Sequence, residues 1–349
     1  TITRTLEGFG VPVEIVEIER GPSVTRFGLR PGVIESGGDR RRVRVARIAS
    51  LRRDLALALA APTVRIEAPI PGRALVGIEV PNPELNVVGL KGLLGGQACQ
   101  RASRANGLAV ALGRDVTGGP VVADLAAMPH LLIAGATGTG KSVCLDACLV
   151  SLLFQNTPDS LRLVLVDPKR VELVRYNALP HLVAPVVTEV EEVVGALRWT
   201  AAEMDERYRR FSARGTRDRT AYNARSPAGE APMPALVVVV DELADVMMRA
   251  AEAAEPLLVR IAQLGRATGI HLIVATQRPS VDVVTGLIKA NFPARIAFAV
   301  ASGTDSRVIL DQTGAEALLG RGDMLYQAPD AVSPRRAQGA YASDPEIAR

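Results

Sequence analysis

The sequence has few cysteines and few lysines, and each shortage narrows the interpretation. Its 349 residues contain three cysteines, Cys99, Cys144 and Cys148, an odd number without the paired spacing of a metal site. We therefore expect neither a disulfide framework nor a cysteine-bound metal, and we interpret the thiols as small packing residues in a reducing cytosol. Arginine dominates the 41 basic side chains. This bias suits phosphate recognition but also follows from a GC-rich genome, so alone it does not indicate nucleic acid. The lysines are Lys91, Lys141, Lys169 and Lys289.

Long apolar runs, internal repeats and long low-complexity segments are also missing. No apolar stretch approaches the roughly 18 residues that a membrane-spanning helix needs, and no basic-then-apolar leader begins the chain. We therefore expect these 349 residues to form a soluble, cytoplasmic protein. Because the chain begins at Thr1 rather than Met, we also expect it to be part of a longer protein, which leaves a membrane anchor upstream open.

The sequence contains enough apolar material for two domains. An apolar content of 48% over 349 residues supports a sizeable core. Alternating residues at 13–18 and 24–30 predict two strands, and apolar residues at helical spacing from Ile48 to Leu59 predict a helix followed by two more strands. The polar insert at 35–42, ESGGDRRR, is predicted to be a solvated loop. We place a small α/β domain at residues 1–105 and a second domain at 106–349.

The second domain carries short continuous apolar runs separated by helical lengths. Such runs are typical of strands buried on both faces, and their alternation with helices predicts a doubly wound, mostly parallel sheet. One of these helices is predicted at 189–211, with basic residues near its end that we interpret as a solvated face. The runs are HLLIAGA, LRLVLVD, ALVVVVDE, HLIVATQ and ARIAFAV. The basic residues are Arg207, Arg209, Arg210, Arg214, Arg217 and Arg219.

The segment GATGTGKS lies between the first of these apolar runs and a helical pattern, which is where a P-loop belongs. In a P-loop, glycines let backbone N–H groups point at phosphate oxygens, while the lysine reaches the terminal phosphates. Lys141 takes that role here, and Ser142 would hold Mg²⁺. The pattern therefore predicts a bound nucleotide and Mg²⁺ as cofactors. The predicted nucleotide-binding residues of this loop are Gly135, Ala136, Thr137, Gly138, Thr139, Gly140, Lys141, Ser142 and Val143.

Two later strands end in polar residues that fit hydrolysis. ALVVVVDE ends in Asp241 and Glu242, of which the first can complete the Mg²⁺ shell and the second can polarise a water for attack on the γ-phosphate. Gln277, at the end of HLIVATQ, can sense that phosphate. A small-molecule kinase has less use for the second carboxylate. A GTPase switch needs an Asn/Thr-Lys-x-Asp guanine-binding motif, which the sequence lacks.

An arginine supplied by a neighbouring subunit is a further candidate. Arg260 and Arg266 lie in RIAQLGRATGIH, and the glycines Gly265 and Gly269 put Arg266 near a helix end. If subunits pack side by side, such an arginine stabilises the charge that develops on the neighbour's phosphate. A surface salt bridge is the alternative that this pattern leaves open.

Several segments together resemble the motor segment of the FtsK/SpoIIIE family of bacterial DNA translocases. They are HLLIAGATGTGKSV, VDPKRVEL, LVVVVDELADVMM, ATGIHLIVATQRPSVDVVTGLIKANFPARIAFAV and DSRVILDQTGAEALLGRGDMLY. The similarity extends from about residue 11 to 342. It implies a RecA-like P-loop ATPase domain preceded by a small α/β domain, with six copies in a ring that encircles double-stranded DNA and pumps it with ATP. The resemblance implies a role in chromosome segregation and cell division.

The resemblance also assigns residues. Lys141, Ser142, Asp241, Glu242 and Gln277 match the family's nucleotide site, and Arg266 falls where its neighbour-supplied arginine lies. Pore residues that approach DNA correspond to 278–289 and 302–307. The DNA candidates are Arg278, Lys289 and Arg307.

The chain departs from the family pattern in three places. The 35–42 insert is longer and more basic than expected. We expect this chain to lack two elements that are usual in the family, an N-terminal membrane region and a C-terminal winged-helix module that reads DNA polarity. The resemblance implies that the full-length protein is anchored at the inner face of the bacterial cell membrane through segments absent here. Two alternatives stay open: a ring ATPase of the conjugation coupling-protein type, and a P-loop switch whose nucleotide only changes its shape.

Overall fold

A computed structural model describes residues 1–36 and 39–348. The chain begins with a small unit built on an antiparallel sheet of order β1-β2-β6-β5. Leu6, Leu29, Ile48, Leu55 and Ile78 are fully buried in its core, beneath the helices. Its elements are α1 (Ile2–Gly8), β1 (Val13–Arg20), β2 (Val24–Pro31), β3 (Val33–Ser36), β4 (Asp39–Arg42), α2 (Val45–Ser50), α3 (Arg52–Ala58), β5 (Arg65–Glu67) and β6 (Val76–Pro81).

Two predictions for this unit were wrong. The 35–42 insert, expected as a solvated loop, contributes to an antiparallel hairpin in which Val33 pairs with Arg42 and Ile34 with Arg41. Residues 37 and 38 of the insert lie outside the described residues. The single helix predicted around Ile48–Leu59 is two helices, because the backbone leaves the helical region at Leu51, with ψ of 12°. Apolar spacing survives such a break, so periodicity did not reveal it.

The rest of the chain is organised around one large sheet of order β11-β12-β13-β10-β14-β15-β16-β8-β9, to which β7 adds beside β16. The strands are β7 (Val88–Gly89), β8 (Ala109–Asp115), β9 (Pro120–Asp124), β10 (His130–Ala134), β11 (Leu161–Val166), β12 (Ala235–Val240), β13 (Ile270–Thr276), β14 (Ala294–Phe298), β15 (Asp323–Gln327) and β16 (Arg335–Tyr341). The helices are α4 (Leu90–Leu94), α5 (Gln97–Asn106), α6 (Lys141–Gln155), α7 (Val190–Arg214), α8 (Arg219–Ala224), α9 (Leu243–Thr268), α10 (Gly286–Asn291), α11 (Gly303–Leu310) and α12 (Asp344–Ile347), with short 3₁₀ helices at Val174–Tyr176 and Ala315–Ala317.

The five apolar runs form the parallel part of this sheet, as predicted. Strands β11, β12, β13, β10 and β14 pair in parallel in that order. Helix α6 covers one face, where Leu145 and Leu149 meet Leu131 and Ile133. Helices α7 and α9 cover the other face and pack against Leu132. Burial on both faces explains why these strands are continuously apolar.

The register brings the carboxyl ends of the parallel strands to one edge of the sheet. Ala134 of β10 pairs with Thr276 of β13, Val240 of β12 with Val274, and Val166 of β11 with Val240. The loops that follow these strands therefore leave at the same edge. This is the edge at which open α/β sheets place ligands.

The other half of the sheet is antiparallel and joins the small unit to the large one. Strand β16 pairs with β15 and β8. Its Arg336 is buried and forms ion pairs with Asp323 of β15 at 2.6 Å and with Glu79 of the small unit at 2.8 Å. Because both carboxylates are buried as well, this pairing offsets a desolvation cost of several kcal/mol per ion.

Two further predictions from the sequence concern helix α7 and the cysteines. Helix α7 is longer at its carboxyl end than predicted and ends at Gly215 in the left-handed region. Arg207, expected on a solvated face, is buried and donates hydrogen bonds to the carbonyl oxygens of Pro234 and Thr268 at 2.9 Å each. The cysteines are free and buried, as predicted. None of the helices within residues 1–36 and 39–348 is sufficiently long and apolar to span a membrane.

Two histidines are buried at the amino ends of neighbouring strands. His130 of β10 and His271 of β13 have ring centroids 6.3 Å apart, and His271 Nδ1 hydrogen-bonds the Pro129 carbonyl at 2.9 Å. Burial, and to a smaller extent the repulsion between the two imidazoles when both are protonated, lowers the pKa of His130 to about 3. Burial, against a smaller opposing contribution from that hydrogen bond, lowers the pKa of His271 to about 4. Both rings are therefore neutral in the folded protein at physiological pH.

This burial predicts a loss of stability in mild acid. The unfolded chain takes up protons on both imidazoles below about pH 6.5, whereas the folded chain does not do so until near pH 4, so stability falls as the pH is lowered through that window. At about pH 5 each histidine should cost about 2 kcal/mol of unfolding free energy. Urea unfolding at pH values near 7.5 and 5 measures this. A His271→Gln variant, which keeps a hydrogen-bond donor, should lose less between the two; an equal loss would contradict the assignment.

Candidate nucleotide site

The glycine loop connects β10 to α6 and has the backbone geometry that its sequence demands. Gly138 and Gly140 have φ of 76° and 124°, in the region that side chains rarely adopt. A Cβ on Gly135 would lie 2.5 Å from the Cβ of Phe298. The N–H of Ala136 donates to the carbonyl of Ala299 at 3.0 Å, which fixes the loop against the end of β14. Each of these positions therefore accepts little change.

A buried ion pair connects the first residue of α6 with the end of β12. Lys141 Nζ lies 2.5 Å from Asp241 Oδ1 and 2.7 Å from the carbonyl oxygen of the same residue. Burial raises the pKa of Asp241, although Lys141 opposes that shift. Asp241 Oδ2 is buried and has no hydrogen-bond partner among the residues that the structure describes. That free oxygen and the Ser142 hydroxyl are hard donors of the kind that Mg²⁺ prefers.

Glu242 is held by donors from three directions. Its side chain is 1% exposed, and Lys169 Nζ lies 2.8 Å from Oε2. Thr276 Oγ1 donates to Oε1 at 2.8 Å, and the Gln277 N–H lies 3.1 Å from Oε1 and 3.2 Å from Oε2. Burial pushes the pKa of Glu242 up, but the hydrogen bonds from Lys169 and Thr276 outweigh it and hold the pKa below its usual value. Glu242 is therefore ionised near neutral pH.

The ends of β13 and β11 complete the site. Gln277 Oε1 accepts a hydrogen bond from Thr137 Oγ1 at 2.7 Å, so this side chain contacts the glycine loop directly. After β11, Glu172 accepts a hydrogen bond from Ser142 Oγ at 2.7 Å. The structure thus brings together Lys141, Ser142, Asp241, Glu242 and Gln277, which the sequence predicted as one site.

A cavity of about 540 Å³ opens beside the glycine loop. Ala136, Thr137, Gly138, Gly140, Lys141, Ser142, Val143 and Gln277 line it, and Gly135, Thr139, Asp241 and Glu242 do not. The opposite wall comes from Leu85–Val88, Arg321 and Gln338–Tyr341. A nucleotide of ordinary size fits a cavity of this volume.

Sequence reasoning missed several of these residues. Lys169 and Glu172 contact the predicted catalytic groups, and they were quoted only within the VDPKRVEL segment. Their signal was available, because polar residues directly after a buried strand of a parallel sheet lie at the ligand edge. The wall formed by Leu85–Val88 and Tyr341 left no such signal, because it depends on pairing between distant strands.

The two arginines of α9 lie apart from the cavity. Arg260 pairs with Asp205 at 2.8 Å. Arg266 is exposed, and within residues 1–36 and 39–348 its guanidinium has no hydrogen-bond or ion-pair partner. It precedes Gly269 and the amino end of β13, a strand of seven residues whose other end adjoins the glycine loop. Arg266 therefore lies roughly 20 Å from its own phosphate-binding loop.

The DNA candidates follow parallel strands on the surface. Arg278 is exposed, with its guanidinium 3.6 Å from Met248 Sδ. Lys289 donates to Asp311 at 2.6 Å, and Arg295 donates to the same carboxylate at 2.7 Å. Arg307 is exposed and has no ion-pair partner in the described part of the chain. Arg278 and Arg307 are the more available, since Lys289 must first leave Asp311.

The doubly wound sheet, the glycine loop between a buried strand and a helix, and the acidic pair at the end of β12 define a P-loop ATPase fold. Comparison with known proteins gives the family. The FtsK/SpoIIIE family model matches residues 96–281, and the FtsK alpha domain matches residues 1–82. The chain belongs to the FtsK/SpoIIIE family.

Curated relatives agree with this assignment. The chain is 50% identical over 346 residues to the DNA translocase FtsK of Caldanaerobacter subterraneus subsp. tengcongensis, covering 99% of this chain and 47% of the relative. It is also 50% identical over 355 residues to that of Bacillus anthracis, covering 100% and 44%. The chain thus spans less than half the length of these relatives.

Solved structures confirm the predicted fold class. The pCW3 conjugation coupling protein TcpA, in its monomer form with ATPγS, has a TM-score of 0.67 at 23% identity, covering 99% of this chain and 95% of that one. The cytoplasmic domain of the type VII secretion ATPase EccC from Thermomonospora curvata has a TM-score of 0.61 at 30% identity, covering 69% and 29%. At 23% identity, the similarity to TcpA concerns the fold alone.

The ion pairs of Lys141 and Glu242 predict that substitutions at these two residues have different effects on nucleotide binding and turnover. Lys141→Ala should weaken nucleotide binding, and it should also cost about 3–5 kcal/mol of stability because it leaves Asp241 buried without its partner. Glu242→Gln should keep nucleotide binding while lowering turnover by about 10²- to 10⁴-fold. Fluorescent-nucleotide binding, ATP turnover and urea unfolding separate the two. Adding Asp241→Ala to Lys141→Ala should recover stability but not binding; equal loss of binding in Lys141→Ala and Glu242→Gln would contradict these roles.

Proposed function

We propose that this chain is an ATP-driven motor that moves double-stranded DNA through a homo-hexameric ring. The observation that carries the proposal is the separation of Arg266 from the site formed by the glycine loop, Lys141, Asp241 and Glu242. A site whose stabilising arginine lies at the far edge of its own sheet needs a neighbour to complete it. The relatives named DNA translocases support DNA as the object moved.

The residues divide the work of ATP hydrolysis between them. Lys141 would exchange Asp241 for the terminal phosphates, and the glycine loop would hold the others through its N–H groups. Ser142 and the free oxygen of Asp241 would hold Mg²⁺, which neutralises charge on the phosphates. Glu242, ionised in its buried position, would orient a water and take its proton. Gln277, bonded to Thr137, would report the state of the γ-phosphate to the loop beyond β13.

The finer assignments rest on the family resemblance and on packing. A role in chromosome segregation and cell division, and membrane anchoring of the full-length protein, come from the resemblance alone. For the domain boundary, predicted at residue 105, we propose an earlier position on the basis of packing. Val88, Leu90 and Leu93 share a core with Ala109 and Ala340 rather than with the first 81 residues. We place the small domain at 1–82 and the ATPase domain from about 88 onward.

Subunit mixing tests the arginine. Arg266→Ala should lower turnover in the assembled ring by about 10³-fold or more while leaving the nucleotide affinity of the isolated subunit nearly unchanged, because the arginine acts on the next subunit's phosphate. Inactive Arg266→Ala and inactive Glu242→Gln subunits, once mixed, should regain part of the activity. An Arg260→Ala subunit is the matched control. Mixed rings that form without regaining turnover would rule out supply from the neighbour.

Turnover with and without duplex DNA tests the proposed function itself. A motor that moves along any sequence must bind what all base pairs share, so its DNA contacts should be to phosphate and depend on salt. Duplex DNA should accelerate ATP turnover. Arg307→Ala with Lys289→Ala should abolish that acceleration and leave basal turnover nearly unchanged. The slope of log affinity against log salt should become shallower by about one unit for each phosphate-binding side chain removed.

The nucleotide-switch alternative predicts a different result. A switch protein would hydrolyse ATP at the same rate with and without duplex DNA. If DNA accelerates turnover but the Arg307 and Lys289 double variant keeps both the acceleration and the salt slope, the DNA path lies elsewhere. Arg278→Ala is then the next variant, since that side chain is exposed at the carboxyl end of β13.

A further inference from the structure

The loop that follows β11 is fixed in place and turned toward the nucleotide site. It runs from Asp167 to Leu173, and Asp167 is fully buried. Asp167 Oδ2 accepts hydrogen bonds from the N–H groups of Glu172 at 3.0 Å and Leu173 at 2.8 Å. Arg170 has φ of 57°, a left-handed conformation that few residues other than glycine adopt without an outside constraint. The loop's shape is therefore set by its own hydrogen bonds.

This one loop contacts two of the groups assigned to ATP hydrolysis. Glu172 accepts the hydrogen bond of the Ser142 hydroxyl, and Lys169 donates to Glu242 Oε2 at 2.8 Å. Its remaining cation, Arg170, faces outward and pairs with Glu189 on the surface. Lys169 and Arg170 are thus adjacent cations with different partners.

The two carboxylate oxygens of Glu242 accept hydrogen bonds from different donors. Thr276 Oγ1 and the N–H groups of Gln277 and Ala244 approach Oε1. Lys169 lies on Oε2, and the one other donor to this oxygen among the residues that the structure describes is the more distant Gln277 N–H. A carboxylate has about four lone-pair positions, and the donors just named approach both oxygens of Glu242. A water that is to give its proton to Glu242 therefore meets an Oε2 that Lys169 already occupies.

Lys169 is also the contact that can move. Its side chain is 37% exposed, whereas that of Glu242 is 1% exposed and is held from the protein interior by Thr276. A lysine ammonium is a point charge on a flexible stem, which makes it easily displaced from one acceptor. Lys169 does not line the nucleotide cavity, so its displacement does not require a change in nucleotide contacts.

We propose that Lys169 is a positioning residue that restrains Glu242, occupying the oxygen that the attacking water needs and leaving it when hydrolysis proceeds. This inference rests on the proposed ATP hydrolysis at the same site. The restraint makes the productive arrangement a minor population in the free protein, and removing it should raise that population. Because Glu242 keeps its hydrogen bonds from Thr276 and Gln277, it stays in place when Lys169 is gone.

Lys169→Met tests the restraint, since methionine has a similar length and lacks the charge and the donors. Turnover at saturating ATP without DNA should rise by about five- to tenfold, the low end expected for one charge-assisted hydrogen bond to a partly exposed donor. The KM for ATP should stay unchanged, because Lys169 does not contact the cavity.

The neighbouring residue and the conservative variant serve as controls. Arg170→Met removes a cation from the same loop at a left-handed position and should leave turnover unchanged. Lys169→Arg keeps a donor and should keep turnover near that of the natural protein. Urea unfolding reports whether each variant is folded. If Lys169→Met does not fold, a folded Lys169→Arg still tests the proposal, because raised turnover in Lys169→Arg would contradict the restraint.

The outcomes separate this inference from the proposed function. A fall in turnover for Lys169→Met, with or without a rise in KM, means that Lys169 assists the reaction and overturns the restraint. Equal turnover in Lys169→Met and Arg170→Met overturns it as well. If the unsubstituted protein hydrolyses no ATP, the proposed function fails and this inference fails with it.

Discussion

The ion pair between Lys141 and Asp241 is the interaction on which the arrangement of the site depends. It connects the start of α6 with the end of β12, at 2.5 Å and almost without exposure. Two charges removed from water at this depth are tolerated only when they are paired, so the helix and the strand cannot separate without a cost of several kcal/mol. The glycine loop, fixed between β10 and α6, is thereby held against the acidic pair. In the proposed function, phosphates entering the cavity would replace one buried partner of Lys141 by another.

The same sheet that gathers these groups keeps Arg266 away from them. Helix α9 begins beside Glu242 and ends at Gly269, so it returns the chain from the carboxyl edge of the sheet to its amino edge. A parallel sheet requires such a return between every two strands. An arginine late in α9 therefore lies far from the glycine loop of its own chain, and in the proposed ring it would face a neighbouring subunit. In this fold, the dependence on a neighbour that we propose follows from connectivity, whatever holds the subunits together.

The sequence predicted the parts whose signal is local. The five apolar runs predicted the parallel strands correctly, because strands buried on both faces are continuously apolar and are easily distinguished in the sequence. The glycine loop, Asp241, Glu242 and Gln277 followed from their positions after those runs. Strand β16 was not predicted, since RRAQGAY carries two arginines and few large apolar residues. Its Arg336 is buried only because Asp323 and Glu79, distant in sequence, pair with it. Lys169 was missed although its position after a buried strand was a local signal; what the sequence did not show is its contact with Glu242, 73 residues away.

Strand β16 also explains why the small unit and the nucleotide cavity are not independent. At its start, Arg336 forms the buried pair with Glu79 of the small unit. At its end, Gln338 to Tyr341 line the cavity, opposite the glycine loop. The segment Leu85–Val88, which leads out of the small unit, lines the same wall, and Val88 pairs with Ala340. A strand transmits displacement along its length because its neighbours fix it on both sides. Any movement of the small unit relative to the ATPase sheet must therefore break the Arg336 pair or change the wall that faces the nucleotide.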